Sequence, residues 1–217
     1  MTEELFREMA QTIIDGDPEA AEALAKRVLA EGIDPLDAIN KGFVVGVNKV
    51  GDAFGCGDAF LPDLVLAGEA MKAVVAVLDP ELARRGTQRQ TLGNVVVGTV
   101  KGDIHDIGKT LVAIMLSASG FQVYDLGVDV PPERFAAKAR EVSAAIVGVS
   151  ALLTTTMVNQ KSVIEALDDI GLRPKVKVMV GGAPVTRSWA QQIGADGYSE
   201  DAIGAVAEAK RILGGGA

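Results

Sequence analysis

A chain of 217 residues with one histidine, one cysteine, one tryptophan and aromatics at only 4% has few ways to build a reactive site. A single Cys, Cys56, excludes an internal disulfide, as expected of a protein kept in a reducing compartment. One His and one Cys together cannot supply the four ligands of a structural zinc site. No apolar run approaches the roughly 20 residues of a membrane span, and no amino-terminal stretch resembles a signal peptide. The expectation is a cytoplasmic protein with no membrane partner. A net charge of -8 argues against nucleic acid as a partner. What remains is aliphatic: 48% hydrophobic residues with so few rings, enough for one large or two small domains with real cores.

Patterning divides the chain near residues 84–91, which predicts a domain of residues 1–88 and another of 89–217. The first half reads as helix throughout. Leu5, Met9 and Ile13 mark one face of a first helix, and Asp17-Pro18 starts a second that carries Leu24 and Val28 and closes at Gly32. Asp34-Pro35 starts a third, with Leu36, Ile39, Phe43, Val47 and Val50 at three- and four-residue spacing up to Phe54-Gly55. Leu61-Pro62 opens a fourth, with Leu64, Ala67, Met71, Val74 and Leu78 on one side. Short connections predict a four-helix bundle.

The second half alternates apolar strand-like runs, at residues 94–99, 122–124, 145–149 and 176–180, with helical stretches at 106–119, 132–143, 156–170, 186–193 and 201–213. Continuous aliphatic strands between helices predict an α/β domain whose parallel sheet is covered on both faces, doubly wound and flavodoxin-like (Rossmann-like). The glycine-rich tail at residues 214–216 is expected to fray.

Ligands in such domains bind at the carboxyl edge of the sheet. The lone histidine, His105, falls there, in the segment Asp103, Ile104, His105, Asp106, Ile107, Gly108 directly after the first strand. Asp103 is spaced to accept a hydrogen bond from one ring nitrogen and leave the other lone pair free for a metal. Gly108 lets a bulky ligand approach the backbone where the next helix begins. For an isolated Asp-x-His, a loop histidine satisfied by a neighbouring carboxylate is the plainer reading; the surroundings here reverse that preference. Any metal here must bring most of its own ligands, as one held in a macrocycle does; haem and cobalamin both qualify. The loop at residues 150–156, with hydroxyls on Ser150, Thr154, Thr155 and Thr156 beside Leu152, reaches the same edge. So does Gly181-Gly182-Ala183, where an extended group could lie on bare backbone. Helix capping and an ordinary strand-end turn are the alternatives for these two loops.

Asp103-x-His105-x-x-Gly108, Ser150-x-Leu152 and Gly181-Gly182 together resemble the cobalamin-binding signature of corrinoid proteins and of the cobalamin domain of methionine synthase. The first half is similar too: Val50-Gly51-Asp52-Ala53-Phe54-Gly55, Phe60-Leu61-Pro62 and Ala67-Gly68-Glu69-Ala70-Met71 look like that family's helical cap. The resemblance covers nearly the whole chain, with its motifs in the expected order.

The resemblance implies a cofactor, cobalamin or a related corrinoid carrying a methyl group on cobalt. His105 would be the lower axial ligand, Asp103 its partner, and Thr156 the last member of a relay that ends in serine in methionine synthase. Ile104, Asp106, Ile107, Gly108, Ser150, Leu152, Thr154, Gly181, Gly182, Ala183, Tyr198 and Asp201 would line the cofactor's site. Phe54, Leu61 and Met71 would come from the cap, Phe54 and Leu61 matching the positions that shield the methyl-bearing face. Residues 84–91 would be the hinge that lets the cap move. The resemblance further implies the corrinoid component of a methyltransferase system, performing no complete reaction alone. A substrate-specific methyltransferase would load it from a methylamine, methanol, betaine or methoxyarene. A second methyltransferase would unload it to tetrahydrofolate or a thiol, and a reductive activating protein would restore oxidised cobalt. A cobalamin-responsive regulator and a mutase cobalamin subunit are the competing classes; the acidic balance weighs against the first and the cap motif against the second. Among lesser residues, Cys56 reads as a small loop residue, Trp189 as surface-helix packing, and Lys101 and Lys109 as solvated side chains.

Overall fold

The computed structural model describes residues 2–85 and 91–214. Residues 86–90 of the expected hinge, and Gly215 and Gly216 of the tail, lie outside them. The chain divides into two compact units, one of Met1–Gln90 with Ser117–Gly120, the other of Thr91–Leu116 with Phe121–Ala217.

The helical unit contains α1 (Thr2–Ile14), α2 (Pro18–Ala30), α3 (Pro35–Ala38), a π-helical turn (Ile39–Phe43), α4 (Val44–Cys56) and α5 (Leu61–Arg84). Its start signals work as read. The Asp17 carboxylate accepts from Ala20 N–H at 3.0 Å, and that of Asp34 from the N–H groups of Leu36 and Asp37 at 2.9 and 3.1 Å. Gly57, with φ of 83°, closes α4 in a left-handed conformation open to few other residues. Met9, Ile13, Val28, Ile39, Phe43, Val74 and Leu78 form a core closed to solvent. Burial of each such side chain is worth about 1.5–3 kcal/mol.

The expected third helix is not continuous. Ile39, Phe43 and Val47 are four residues apart, a spacing compatible with a wider turn as well as an α-turn, so periodicity does not reveal the π turn. Gly42 and Gly46 lie along this segment where α1 comes close. A Cβ on Gly42 would meet the Met9 sulfur at 2.6 Å, and one on Gly46 the Ala10 carbonyl oxygen at 2.3 Å.

The sheet unit runs β1 (Asn94–Thr99), α6 (Ile107–Ala118), β2 (Gln122–Asp125), α7 (Pro132–Glu141), β3 (Ile146–Ser150), α8 (Thr154–Met157), α9 (Asn159–Asp169), β4 (Lys177–Gly181), α10 (Arg187–Ile193), β5 (Gly197–Tyr198) and α11 (Ala202–Ile212). The five strands are parallel in the order β2-β1-β3-β4-β5, the flavodoxin-like order. Alternation along the strands fills two cores. Val96, Val147, Val178 and Val180 face one side with Phe135 and Leu167, while Val95, Val97, Ile146 and Met179 face the other with Leu116 and Phe121. The register pairs Thr99 with Ser150 and Ser150 with Gly181, so β1, β3 and β4 end level with one another. The loops that follow them therefore share one edge. Among the described residues no helix is long and apolar enough to cross a membrane.

Candidate functional site

At this shared edge the chain buries a carboxylate. The Asp103 side chain is 0% exposed, and both its oxygens are saturated with donors. Oδ1 accepts from the His105 N–H at 3.1 Å and lies 2.7 Å from His105 Nδ1. Oδ2 accepts from Leu152 N–H at 2.8 Å, Leu153 N–H at 3.3 Å and the Thr156 hydroxyl at 2.6 Å. Burial pushes the Asp103 carboxyl up. Hydrogen bonds from Thr156, from Leu152 N–H and from the ring and N–H of His105 outweigh it and hold the carboxyl well below the usual carboxylate range.

An ionised Asp103 has no proton to give, so Nδ1 of His105 must donate. The neutral ring then carries its lone pair on Nε2, which makes no hydrogen bond to any described residue. The His105 side chain is 46% exposed, so this lone pair is presented outward on a ring whose other side is anchored. Thr156, itself buried, has one hydroxyl proton and two acceptors in reach, Asp103 Oδ2 and the Leu153 carbonyl at 3.0 Å. The charged oxygen is the closer and stronger acceptor.

The backbone of this segment is fastened on three sides. Thr99, fully buried at the end of β1, donates its hydroxyl to the His105 carbonyl at 2.9 Å. Asp129, after β2, accepts from Gly102 N–H at 2.7 Å and donates its own N–H to the Asp103 carbonyl at 2.9 Å. The Asn159 amide donates to the Lys101 carbonyl at 2.8 Å. None of these three was a candidate in the sequence. Asp129 and Asn159 act across 27 and 58 residues of chain, where no local spacing announces them, and Thr99 acts six residues ahead of His105 from inside the strand.

Other expected site residues are placed as follows. Ile104 and Ile107 are 74% and 76% exposed, on either side of His105 in sequence, and Leu152, Leu153 and Val158 are also exposed. Asp106 is exposed just ahead of α6. Ser150 is half-buried and Thr154 exposed; neither hydroxyl bonds to a described residue, so neither caps a helix. Gly181 and Gly182 owe their lack of side chains to the chain itself. A Cβ on Gly182 would sit 1.8 Å from the Ala151 carbonyl oxygen, and one on Gly181 3.2 Å from that of Ser199. Ala183 is exposed. Asp201 caps α11, accepting from Gly204 N–H at 2.6 Å, and Tyr198 packs under the Arg187 guanidinium at 5.6 Å.

Lys109 departs from the expected solvated lysine. It is buried and ion-paired with Asp125, whose other oxygen accepts from Gly127 N–H at 2.9 Å, because α6 starts against the end of β2. Trp189 does pack half-buried on its helix, but it also donates its indole N–H to Gln160 at 3.0 Å. In the helical unit Phe54 is half-buried, Leu61 exposed, Met71 buried in the core and Cys56 exposed.

The surface around His105 suits a broad apolar ligand bearing a metal. Large aliphatic side chains are left in water at this edge. Gly108 stands in the first turn of α6 with open space where its Cβ would be, so nothing in the fold requires a glycine. A helical glycine costs about 1 kcal/mol relative to alanine, and close approach of a ligand is what would offset it.

Comparison with known proteins agrees in both halves. A B12 binding domain model matches residues 93–207, and a second B12 binding domain model matches residues 5–79. The chain belongs to the B12-binding corrinoid proteins. It is 49% identical to the trimethylamine corrinoid protein of Methanosarcina barkeri over 97% of each chain. The dimethylamine corrinoid protein of the same organism is also 49% identical, over 97% of this chain and 98% of its own. The solved methanol:cobalamin methyltransferase complex MtaBC from Methanosarcina barkeri contains a chain that superposes with a TM-score of 0.88 at 31% identity, covering 98% of this chain and 81% of that one. The cofactor of this corrinoid protein is thus cobalamin or a close relative.

Proposed function

We propose that this protein is a cytoplasmic methyl carrier, loaded by a substrate-specific methyltransferase and unloaded by a second one, in which His105 would hold the cobalt of the corrinoid. The observation that carries the reading is the buried, multiply bonded Asp103, which fixes the imidazole by Nδ1 and turns Nε2 outward. Bound corrinoid supplies a cobalt centre able to accept and release a methyl group. The chain's own residues do the rest. Asp103 keeps the proton on Nδ1 and orients the ring, and Thr156 and the Leu152 N–H keep Asp103 ionised and in place.

Ile104, Ile107, Leu152 and Leu153 give the macrocycle an apolar seat that excludes water, with Gly108 clearing the backbone beneath it. Ser150 and Thr154 offer hydroxyls with no partner in the described chain. Gly181, Gly182, Ala183, Tyr198 and Asp201 border the slot for the cofactor's nucleotide tail. Phe54 and Leu61 remain assigned to shielding the methyl-bearing face and Met71 to the cap, with the functional boundary at residues 88/89. The 49% identity to trimethylamine and dimethylamine corrinoid proteins, against 31% to the methanol system, favours a methylated amine as the donor. A thiol or tetrahydrofolate is the acceptor, and a reductive activating protein completes the system.

The test is a single-turnover assay on protein loaded with methylcobalamin. Methyl transfer to a thiol should occur with an acceptor methyltransferase present and not with the carrier alone. Selective binding of adenosylcobalamin, with no transfer, would instead favour a sensor or a mutase subunit.

A further inference from the structure

One fully buried polar side chain has no part in the His105 relay. Gln160, on α9, spends both amide hydrogens on the sheet edge, donating to the Val149 carbonyl of β3 at 3.0 Å and the Gly181 carbonyl of β4 at 3.1 Å. Its oxygen accepts the indole N–H of Trp189, on α10, at 3.0 Å. The Gly181 carbonyl also accepts from Ala151 N–H at 3.2 Å, and Ser150 pairs with Gly181 in the sheet register. The amide of Gln160 therefore straddles two strands at their last paired rung, directly before the loops at 150–156 and 181–183. Gln160 also stands four residues after Thr156, so the short helix α8 that delivers Thr156 to Asp103 is followed by α9, which Gln160 fastens to β3 and β4.

We propose that Gln160 is a positioning residue for the corrinoid's nucleotide tail. It holds the ends of β3 and β4 at their hydrogen-bonded spacing, and so fixes the loops at 150–156 and 181–183 beside which the tail would lie; Trp189 would sense whether the tail is there. This rests on the corrinoid reading above and adds to it a residue and a reporter. The physical reason is cost: a buried glutamine that gave up either carbonyl would leave one of its amide hydrogens unpaired in the interior. The strand ends are thus held at one spacing, and a group seated against the loops that leave them presses on this clamp. Trp189 hears it through a single hydrogen bond.

The chain has one tryptophan, so its indole N–H gives one cross-peak in a proton–nitrogen correlation spectrum. The probes are methylcobalamin and cobinamide, the same macrocycle without the nucleotide tail, each added to the full-length protein. Methylcobalamin should displace the Trp189 peak, and cobinamide should bind without displacing it. Gln160→Met, similar in size but unable to donate, should weaken cobalamin binding about tenfold or more while changing cobinamide affinity by less than about twofold. A merely structural glutamine would weaken both alike. Should Gln160→Met not fold, the wild-type comparison of the two ligands still decides. Equal displacement by both ligands, or none by bound cobalamin, overturns the proposal. Failure of both corrinoids to bind overturns the cofactor reading as well, and so is told apart from failure of the Gln160 assignment alone.

Discussion

The two units solve the problem of burial differently. The core of the helical unit is aliphatic and aromatic, and its charged residues pair at the surface, as Arg27 does with Glu31 and Lys41 with Asp37. The sheet unit buries Thr99, Asp103, Lys109, Thr156 and Gln160, and among the described residues these are the only buried polar or charged side chains. Thr99, at the end of β1, bonds to the His105 carbonyl, Asp103 and Thr156 bond to each other, Gln160 bonds to the ends of β3 and β4, and Lys109 bonds to the end of β2. Both units leave large apolar residues exposed, Val45, Phe60 and Leu66 in one and Ile104, Ile107 and Val158 in the other. In the sheet unit Ile104 directly follows the buried Asp103, and Leu152 and Leu153, also exposed, donate their N–H groups to its carboxylate. Polar burial is costly unless every group is satisfied, and a fold accepts that cost where a side chain must be held in one orientation.

The contrast can be broken from either side. Phe43→Ala, in the apolar core, should have the largest effect, lowering stability by about 3–5 kcal/mol in chemical denaturation. It should leave the axial ligand of bound corrinoid unchanged. Asp103→Asn keeps the shape but turns one acceptor into a donor facing other donors, and should cost about 1–3 kcal/mol. Corrinoid should still bind this variant, with an altered axial equilibrium in its optical spectrum; unchanged spectra and transfer rates would remove Asp103 from the mechanism. Thr156→Val should cost about 1 kcal/mol, and Thr156→Ser should restore both the bond and the wild-type spectrum.

Acid gives a further test. The folded-state pKa of Asp103 lies below its unfolded value of about 3.9, so its contribution to stability is present above that value and is lost as pH falls. The stability difference between wild type and Asp103→Asn should be flat above about pH 5 and shrink below about pH 4. Smallest of all on stability is Ile104→Ser, within about 0.5 kcal/mol of wild type. Corrinoid affinity should nonetheless fall, since the side chain's exposure serves the ligand and not the fold.

Much of this was legible in the sequence, and the omissions have physical causes. Continuous apolar runs located β1 to β4, and Asp-Pro pairs located the starts of α2 and α3, because both signals are local. The two-residue β5 is too short to show a period, and the π turn hides in a four-residue spacing shared with an α-turn. At the site, Asp103 and His105 could be paired because they are two residues apart, and Thr156 was reached by resemblance. Asp129, Asn159 and Gln160 could not be reached, since the groups they hold are brought to them by the strand order. At Gly181 and Gly182 the sequence offered bare backbone for a ligand but could not show that the fold itself needs glycine there, where a Cβ would meet the Ser199 and Ala151 carbonyls.

The central claim is that His105 ligates cobalt through Nε2, and the chain's single histidine makes it directly testable. The measurement is the EPR spectrum of the corrinoid-loaded protein in the divalent state, prepared with natural-abundance and with nitrogen-15-labelled histidine. The account predicts that the triplet splitting from one axial nitrogen becomes a doublet on labelling and disappears in His105→Ala. A triplet that survives labelling would mean that the cofactor's own base remains on cobalt, and would contradict the assignment.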